Sequence, residues 1–347
     1  MIACHHGPVH GPSSRAKPTI YDVAERAGVS KSLVSLVLRG GPHVSEERRR
    51  AVLDAIDELG YRPSRAATVL ASQQARTVGV VIDDFHNPWF VELLSGLRSE
   101  LDRAGYAVSV ADLQLGNDSQ QNPVDGFLAQ HVDAIVIAAE PSPTMLHNLT
   151  APVVIAGGRD LGTAVLSHAD MVAGDDDIGG QVGTRYLLDL GHRVVAHLSG
   201  CDGPAASRRR GYCRAMEAAG LPSIVVGSNG GTTEEDGYLR TAELLDEHPS
   251  VTGIMAANDM LAMGAMAALR DRGLSVPGDV SVVGYDNSSL ASSRYLALTS
   301  IDPHSAELGV EVARTLLARL DAPGAEPRQI LIEPSIAVRS TTAAPRL

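Results

Sequence analysis

Residues 19–70 read TIYDVAERAGVSKSLVSLVLRGGPHVSEERRRAVLDAIDELGYRPSRAATVL. Thr19 and Asp22 have the spacing of a capping box that opens a helix. Ile20, Val23, Ala24 and Ala27 recur at helical spacing and face one side. Gly28 supplies the positive φ that ends this helix and starts a turn. Ser30 caps a second helix, with Val29 and Val34 as its hydrophobic staple. Val34, Val37 and Leu38 turn inward, which leaves Lys31, Ser32, Ser35, Leu36 and Arg39 outside. Ser45 caps a third helix, whose Val52, Ala55, Ile56 and Leu59 form an apolar stripe. Pro63 stops it. Helix, Gly-centred turn, helix and supporting helix is the order required of a helix-turn-helix reader of the DNA major groove.

After Thr77 the period changes. Val78–Ile82, Tyr106–Val110, Ala134–Ile137 and Val153–Ile155 are short apolar runs separated by helical segments such as Trp89–Ala104. A second series follows at Val194–Leu198, Gly253–Ala256 and Val280–Gly284. Such alternation predicts parallel sheets with helices on both faces. Two series predict two lobes, with ligand in a cleft at the carboxyl ends of the strands. Asn87, Trp89 and Phe90 follow the first strand, where ligand-facing loops lie. Phe, Tyr and Trp make up only 3% of the chain, so adjacent aromatics here stand out. A flat ring suits the apolar face of a sugar or a base; the alternative is a core residue at a helix start.

The run Thr19–Ala24, Ala27–Ser30, Val34-Ser35, Val37-Leu38, Val44-Ser45 and Leu59–Pro63 resembles the headpiece of the lactose-repressor/galactose-repressor family. The resemblance extends to about Arg339, through Leu190–Arg193 and Gly284–Asp286. It implies an all-α helix-turn-helix headpiece on a two-lobed, periplasmic-binding-protein-like α/β core with parallel sheets. The expected division is a disordered leader at 1–17, a DNA-binding domain at 18–62, a hinge helix or linker at 63–76 and the core at 77–347. Lobe 1 is expected at 77–172 and 302–322, and lobe 2 at 173–301 and 323–340, with three crossings between them.

The resemblance implies a homodimer, and in some members a tetramer, that binds a near-palindromic operator, most often as a repressor, and responds to a small effector that either releases or promotes DNA binding. Lys31 and Ser32, at a helix start, are the candidate base readers. Leu36 stands where an arginine is common, so an apolar contact with a thymine methyl is expected there. Thr19, Tyr21, Ser30, Ser35, Arg39 and His43 match backbone-contacting positions. In the hinge, Leu70 matches a leucine wedged into the minor groove, beside Ala67. Thr68 replaces a common arginine, with Arg65 as its substitute; a passive tether is the alternative. Arg208, Asn258 and Asp286 match effector-binding positions and join Asn87, Trp89 and Phe90. Asp259 is read either as a pocket residue or as a helix cap. Gly157-Gly158 stands where the family often has an aspartate. A sugar is the expected effector class, and a purine or nucleoside the alternative.

Composition sets limits on these readings. The net charge is −12, an odd value for a DNA binder until its distribution is seen. From Arg15 to Arg76 there are eleven Lys and Arg against seven Asp and Glu, leaving 18 basic and 34 acidic residues elsewhere. Exposed charges are screened beyond about 8–10 Å, so DNA meets the basic head and not the acidic body. No apolar run reaches the roughly 18 residues of a membrane span, and the first residues do not read as a secretory signal, which predicts a cytoplasmic protein. Three cysteines are too few and too scattered for a disulfide framework. Cys4, His5, His6 and His10 match no closed zinc pattern. No Walker loop, nucleophile elbow or HExxH motif is present, so no catalytic residue and no cofactor are expected. Asp175-Asp176-Asp177 reads as a strand-to-helix junction, where acids favour the helix N-terminus. A solute-binding protein without gene control would share the body but not residues 19–70.

Overall fold

The computed structural model describes residues 18–38, 41, 44–61, 75–115, 122–140, 145, 149–158, 169–201 and 203–346. The chain divides into two units, Met1–Ala75 and Arg76–Leu347. The described part of the first holds α1 (Ile20–Arg26), α2 (Lys31–Leu38) and α3 (Glu46–Leu59). Thr19 Oγ1 accepts the Asp22 amide at 3.4 Å, and the Asp22 carboxylate accepts the Thr19 amide at 2.7 Å, closing the capping box. Gly28 turns the chain at φ 65°. Ser30 Oγ accepts the Leu33 amide at 3.2 Å and caps α2.

Val23, Val34 and Val52, one from each helix, are fully buried together. Each such burial stabilises by about 1.5–3 kcal/mol. Two local expectations fail. Leu38 is exposed, because α2 ends on it before its side chain reaches the shared core. Ser45 takes the N-cap position but its hydroxyl makes no cap bond; Glu46 and Glu47 in the first turn meet the positive helix end instead.

The second unit holds two six-stranded sheets. The first orders as β11-β5-β4-β3-β1-β2 and is wholly parallel. Its strands are β1 (Thr77–Ile82), β2 (Ala107–Asp112), β3 (Ala134–Ala138), β4 (Val153–Ala156), β5 (Asp170–Gly174) and β11 (Gln329–Ile332). The second orders as β12-β10-β9-β8-β6-β7, with only β12 antiparallel. It comprises β6 (Val195–Leu198), β7 (Ile224–Val226), β8 (Gly253–Ala256), β9 (Ser281–Tyr285), β10 (Thr299–Asp302) and β12 (Ser335–Ala337). Val78, Val80 and Ile82 face one apolar layer, while Val81, Ile135 and Ile137 face another. Covering both faces is what a parallel sheet demands.

The chain crosses between lobes after β5, after β10 and after β11. Residues 323–340, expected wholly in lobe 2, are divided: β11 belongs to the first sheet and β12 to the second. The cause is the free edge of β5, which pairs with β11 from Gln329↔Met171 to Ile332↔Gly174. Asp170, at the start of β5, is fully buried and receives both Arg319 Nε and Nη2 at 2.9 Å and the Arg328 amide at 2.8 Å. That clamp makes a strand that opens on a carboxylate tolerable, and β5 is absent from the strand series seen in sequence.

Three helix pairs cover the sheets: α4 (Trp89–Arg103) with α10 (Ser305–Asp321), α6 (Asp176–Asp189) with α7 (Pro204–Ala218), and α8 (Glu234–Glu247) with α9 (Asp259–Asp271). Each pair meets at reciprocal glycines. A Cβ on Gly96 would overlap the Ala306 carbonyl, and one on Gly309 the Leu93 carbonyl. Gly180 and Gly211 press in the same way on backbone of Arg208 and Asp177, and Gly237 and Gly264 on backbone of Leu261 and Glu234.

Ala has the higher helix propensity by about 1 kcal/mol, but overpacking costs about 1–3 kcal/mol. Gly309→Ala is therefore expected to lower the stability of the core by about 2 kcal/mol in urea melts. Gly126→Ala, in α5 (Pro123–Ala129), meets open space and is expected to raise stability by a few tenths of a kcal/mol up to about 1. Equal signs for the two would show that close helix approach does not control this packing.

Candidate functional site

In the amino-terminal unit, Lys31 and Ser32 stand exposed at the start of α2 and Leu36 is half-buried one turn on. Lys31 Nζ donates to Tyr21 Oη at 3.2 Å and lies 4.8 Å from the Tyr21 ring centre. That ring is 64% exposed. The Thr19 and Ser30 oxygens already act as helix caps, and Ser35 is half-buried on α2. Arg39, His43, Arg65, Ala67 and Leu70 lie outside the described residues.

In the second unit, a cavity of about 370 Å³ opens between the lobes. Its walls are the segments after the carboxyl ends of β1, β3, β4 and β5 in one lobe and of β6, β8, β9 and β10 in the other. Ligands favour this place because helix starts and strand ends converge there. Asn87, Trp89, Phe90, Arg208, Asn258 and Asp286 all line it. Asn87 Oδ1 accepts the Trp89 amide at 3.0 Å and sets the start of α4. Trp89 and Phe90 pack edge to face, with ring centres 4.9 Å apart and planes at 81°. Both belong to the lobe 1 core and both touch the cavity, so the two readings of these rings are compatible.

Arg208 is the centre of the lobe 2 wall. The glycine crossing of α6 and α7 determines its place: Asp176 lies one turn before Gly180, and Arg208 one turn before Gly211. Arg208 Nε donates to Asp176 Oδ1 at 2.8 Å; Nη1 donates to the Ala257 carbonyl at 2.6 Å and to Asp286 Oδ1 at 3.3 Å. Its guanidinium carbon lies 3.5 Å from the Tyr285 ring centre. Burial works against its charge, yet Asp176 and Asp286 hold it more firmly protonated than an ordinary arginine. Burial pushes the Asp286 carboxyl up, against the pull of Arg208. Asp286 also sits at φ 101°, a conformation that costs a non-glycine residue on the order of 1–3 kcal/mol.

Asn258, not Asp259, caps α9: its Oδ1 accepts the Leu261 amide at 2.8 Å, and its Nδ2 donates to the Thr232 carbonyl at 3.0 Å. Asp259 turns behind the cavity, where its carboxylate accepts the Ser300 hydroxyl at 2.6 Å and the Ser288 amide at 2.8 Å.

Sequence reasoning missed Asp176. The three acids of Asp175-Asp176-Asp177 have separate roles. Asp175 caps α6 through the Ile178 amide, Asp176 enters the cavity, and Asp177 accepts from Gln181 and Arg214. A Cβ on Gly158 would lie 2.6 Å from Asp176 Oδ2. The Asp176 carboxylate thus fills the space that the missing side chain at Gly158 leaves open. Asp83, Asp84, His86 and Glu140 were missed as well. The one available signal was their position directly after the strands at Val78–Ile82 and Ala134–Ala138.

A two-lobed cleft of this kind, in one chain with a helix-turn-helix unit, defines a ligand-sensing transcription factor. The chain belongs to the lacI family of bacterial regulatory proteins. Residues 19–64 match that family's description, and residues 184–342 match the periplasmic binding protein-like domain. The transcriptional regulator CelR of Thermobifida fusca is 34% identical over 342 residues, 94% of this chain and 99% of CelR. The repressor PurR of Histophilus somni is 31% identical over 93% of this chain and 98% of its own length. Among solved structures, the lac repressor dimer bound to operator and the anti-inducer ONPF matches with a TM-score of 0.81 at 28% identity, over 95% of this chain and all of that one. The protein is a DNA-binding transcriptional regulator that responds to a small ligand.

Burial raises the Asp259 carboxyl to about 6, against the Ser300 and Ser288 hydrogen bonds that favour its charged form. A raised folded-state value means the stability it contributes is present below about pH 4 and is lost as pH rises through about 6. From pH 7 to pH 5 the wild type is expected to gain roughly 1 kcal/mol relative to Asp259→Asn in urea melts. Parallel pH profiles for the two would refute this role of the buried carboxyl.

Proposed function

We propose that this chain is a cytoplasmic, sugar-responsive repressor that binds a near-palindromic operator as a homodimer and has no enzymatic activity. The observation that carries the reading is the cavity: two aromatic rings on one wall face Arg208 and its carboxylates on the other. An aromatic face takes the apolar side of a pyranose, and carboxylates with an arginine suit vicinal hydroxyls. The solved CelR–cellobiose complex, 32% identical with a TM-score of 0.69 over 93% of this chain and 99% of that one, is consistent with it. A second reading is a purine or nucleoside stacked on Trp89, since a flat ring suits a base as well as a sugar face. Among the described residues no helix is long and apolar enough to cross a membrane.

On the DNA side, Lys31 and Ser32 read base edges and Leu36 meets a thymine methyl, while Thr19, Tyr21, Ser30, Ser35, Arg39 and His43 hold the backbone. Arg65, Ala67 and Leu70 occupy the minor groove as a hinge. Ligand that prefers one arrangement of the lobes shifts DNA affinity by its differential binding, typically about 1–3 kcal/mol.

A gel shift on DNA from upstream of the gene tests the repressor reading. Binding at low salt is expected, with Lys31→Ala costing about 1–3 kcal/mol at its matching base pair. Absence of any shift on dyad-symmetric DNA would reject it. Trp89 is the sole tryptophan, so its fluorescence reports the pocket: a change with sugars supports the first reading, and one with nucleosides alone supports the second.

A further inference from the structure

The end of β4 leaves a notch in the cavity wall. Gly157 and Gly158 follow the strand. Gly157 turns at φ 90°, and its amide donates to the Val172 carbonyl at 2.9 Å, which ties the pair to β5. A Cβ on Gly158 would lie 2.6 Å from Asp176 Oδ2 and 3.7 Å from the carboxyl carbon, and would meet nothing else within 4 Å among the described residues. Gly158 follows a strand of lobe 1 and Asp176 opens α6 in lobe 2, so the notch spans the first lobe crossing. Both residues line the cavity. Asp176 is buried and held in place, since its Oδ1 accepts Arg208 Nε at 2.8 Å. Among the described residues no hydrogen bond reaches its Oδ2.

We infer that Asp176 is a specificity-determining residue of the effector site: its Oδ2 takes one hydroxyl or amine of the ligand, and that group sits in the notch that Gly158 leaves open. The inference rests on the reading of the cavity as the effector site and assigns one contact within it. A carboxylate already engaged by a guanidinium accepts hydrogen bonds and donates none, so only a donor is matched at this position. An ether, a fluorine or a bare methylene would leave Oδ2 desolvated without a partner, the costly outcome for a buried polar group. A site built to bond a hydroxyl rejects the analogue lacking it far more sharply than an apolar pocket rejects a change of size. Backbone sets the place of Oδ2 as much as the side chain does. The contact of α6 with α7 at Gly180 and Gly211 fixes Asp176 against Arg208, so the carboxylate has little freedom to follow a donor offered elsewhere. A donor seated there touches the end of β4 on one side and the start of α6 on the other, so the contact that selects the ligand also joins the two lobes.

The test removes one donor at a time from the ligand. The full chain is titrated with hexoses, pentoses, cellobiose and nucleosides, and binding is followed by Trp89 fluorescence and by the melting temperature. The tightest binder is then compared with its monodeoxy and monodeoxyfluoro analogues; fluorine is close to a hydroxyl in size but cannot donate. At one hydroxyl position both analogues are expected to bind the wild type about 10–100-fold more weakly than the parent. In Asp176→Asn, whose amide can donate into the notch, the gap at that position is expected to fall to a few-fold while gaps at other positions persist. Gly158→Ala, which fills the notch, is expected to weaken the parent at least about 10-fold with the unliganded melting temperature little changed. Gaps at every position unchanged in Asp176→Asn overturn the inference, because a carboxylate that only braces Arg208 would weaken all analogues alike. Undiminished binding by Gly158→Ala overturns it too, as does a wild type that penalises no fluoro analogue. If Asp176→Asn fails to fold, the wild-type series and Gly158→Ala decide. A panel without any binder overturns the effector-site reading and this inference with it, whereas binding with a flat analogue series removes the role of Asp176 alone.

Discussion

The guanidinium of Arg208 is the contact on which the ligand-binding lobe depends. It is buried against Tyr285 and joins α6 through Asp176, the end of β8 through the Ala257 carbonyl, and the end of β9 through Asp286. Buried ion pairs add little net stability over an apolar core, because desolvation offsets the attraction. Removing one partner is different, since it strands a charge and costs about 3–5 kcal/mol. The cluster is thus a device of position. It holds two carboxylates and two strand ends in one arrangement around the cavity, where packing alone would leave them free to move.

Glycine makes that arrangement reachable. Arg208 meets Asp176 only because α6 and α7 touch backbone to backbone at Gly180 and Gly211. The same device brings α4 to α10 and α8 to α9, so the paired helices sit closely enough to cover a sheet face with few large side chains. Beyond the cavity, strain marks the route to the lobe crossings. Asp286, Asn287 and His304 all have positive φ. They are held there by bonds to the second crossing: the Asn287 amide to Ser300 Oγ, Asn287 Nδ2 to Asp302, and the His304 amide to Asp302. Ser335, at the third crossing, lies 3.3 Å from His304 Nε2. Any ligand that shifts Asp286 therefore acts on a hydrogen-bonded chain that already joins two of the three crossings.

Charge divides the molecule by task. A head with a small positive balance suits phosphate contact, and the acidic excess lies in the rest of the chain.

Much of this was readable from local pattern. The capping box at Thr19, the turn at Gly28 and the apolar stripes of α1–α3 are set by residues within one or two turns of one another. The strands at Val78–Ile82 and Val280–Gly284 likewise declare themselves through short apolar runs. Asn258, Asp286 and Trp89 could be named because strand ends are visible and ligand clefts lie beyond them, whereas Arg208, inside α7, could be named only through the family resemblance. Asp176 could not, because a helix start explains an acid there equally well; its distinction from Asp175 comes from Arg208, 32 positions away. Asp170 hides β5, because its charge is neutralised only by Arg319, 149 positions on. The division of 323–340 between lobes was equally invisible, since nothing local tells β11 which sheet edge is free. The sequence by itself determined the elements and the kind of protein they build, since caps, turns and hydrophobic period act over a few residues. Tertiary structure alone decided which carboxylates reach the cavity and which strand closes which sheet, because those outcomes depend on partners that meet only when distant segments pack.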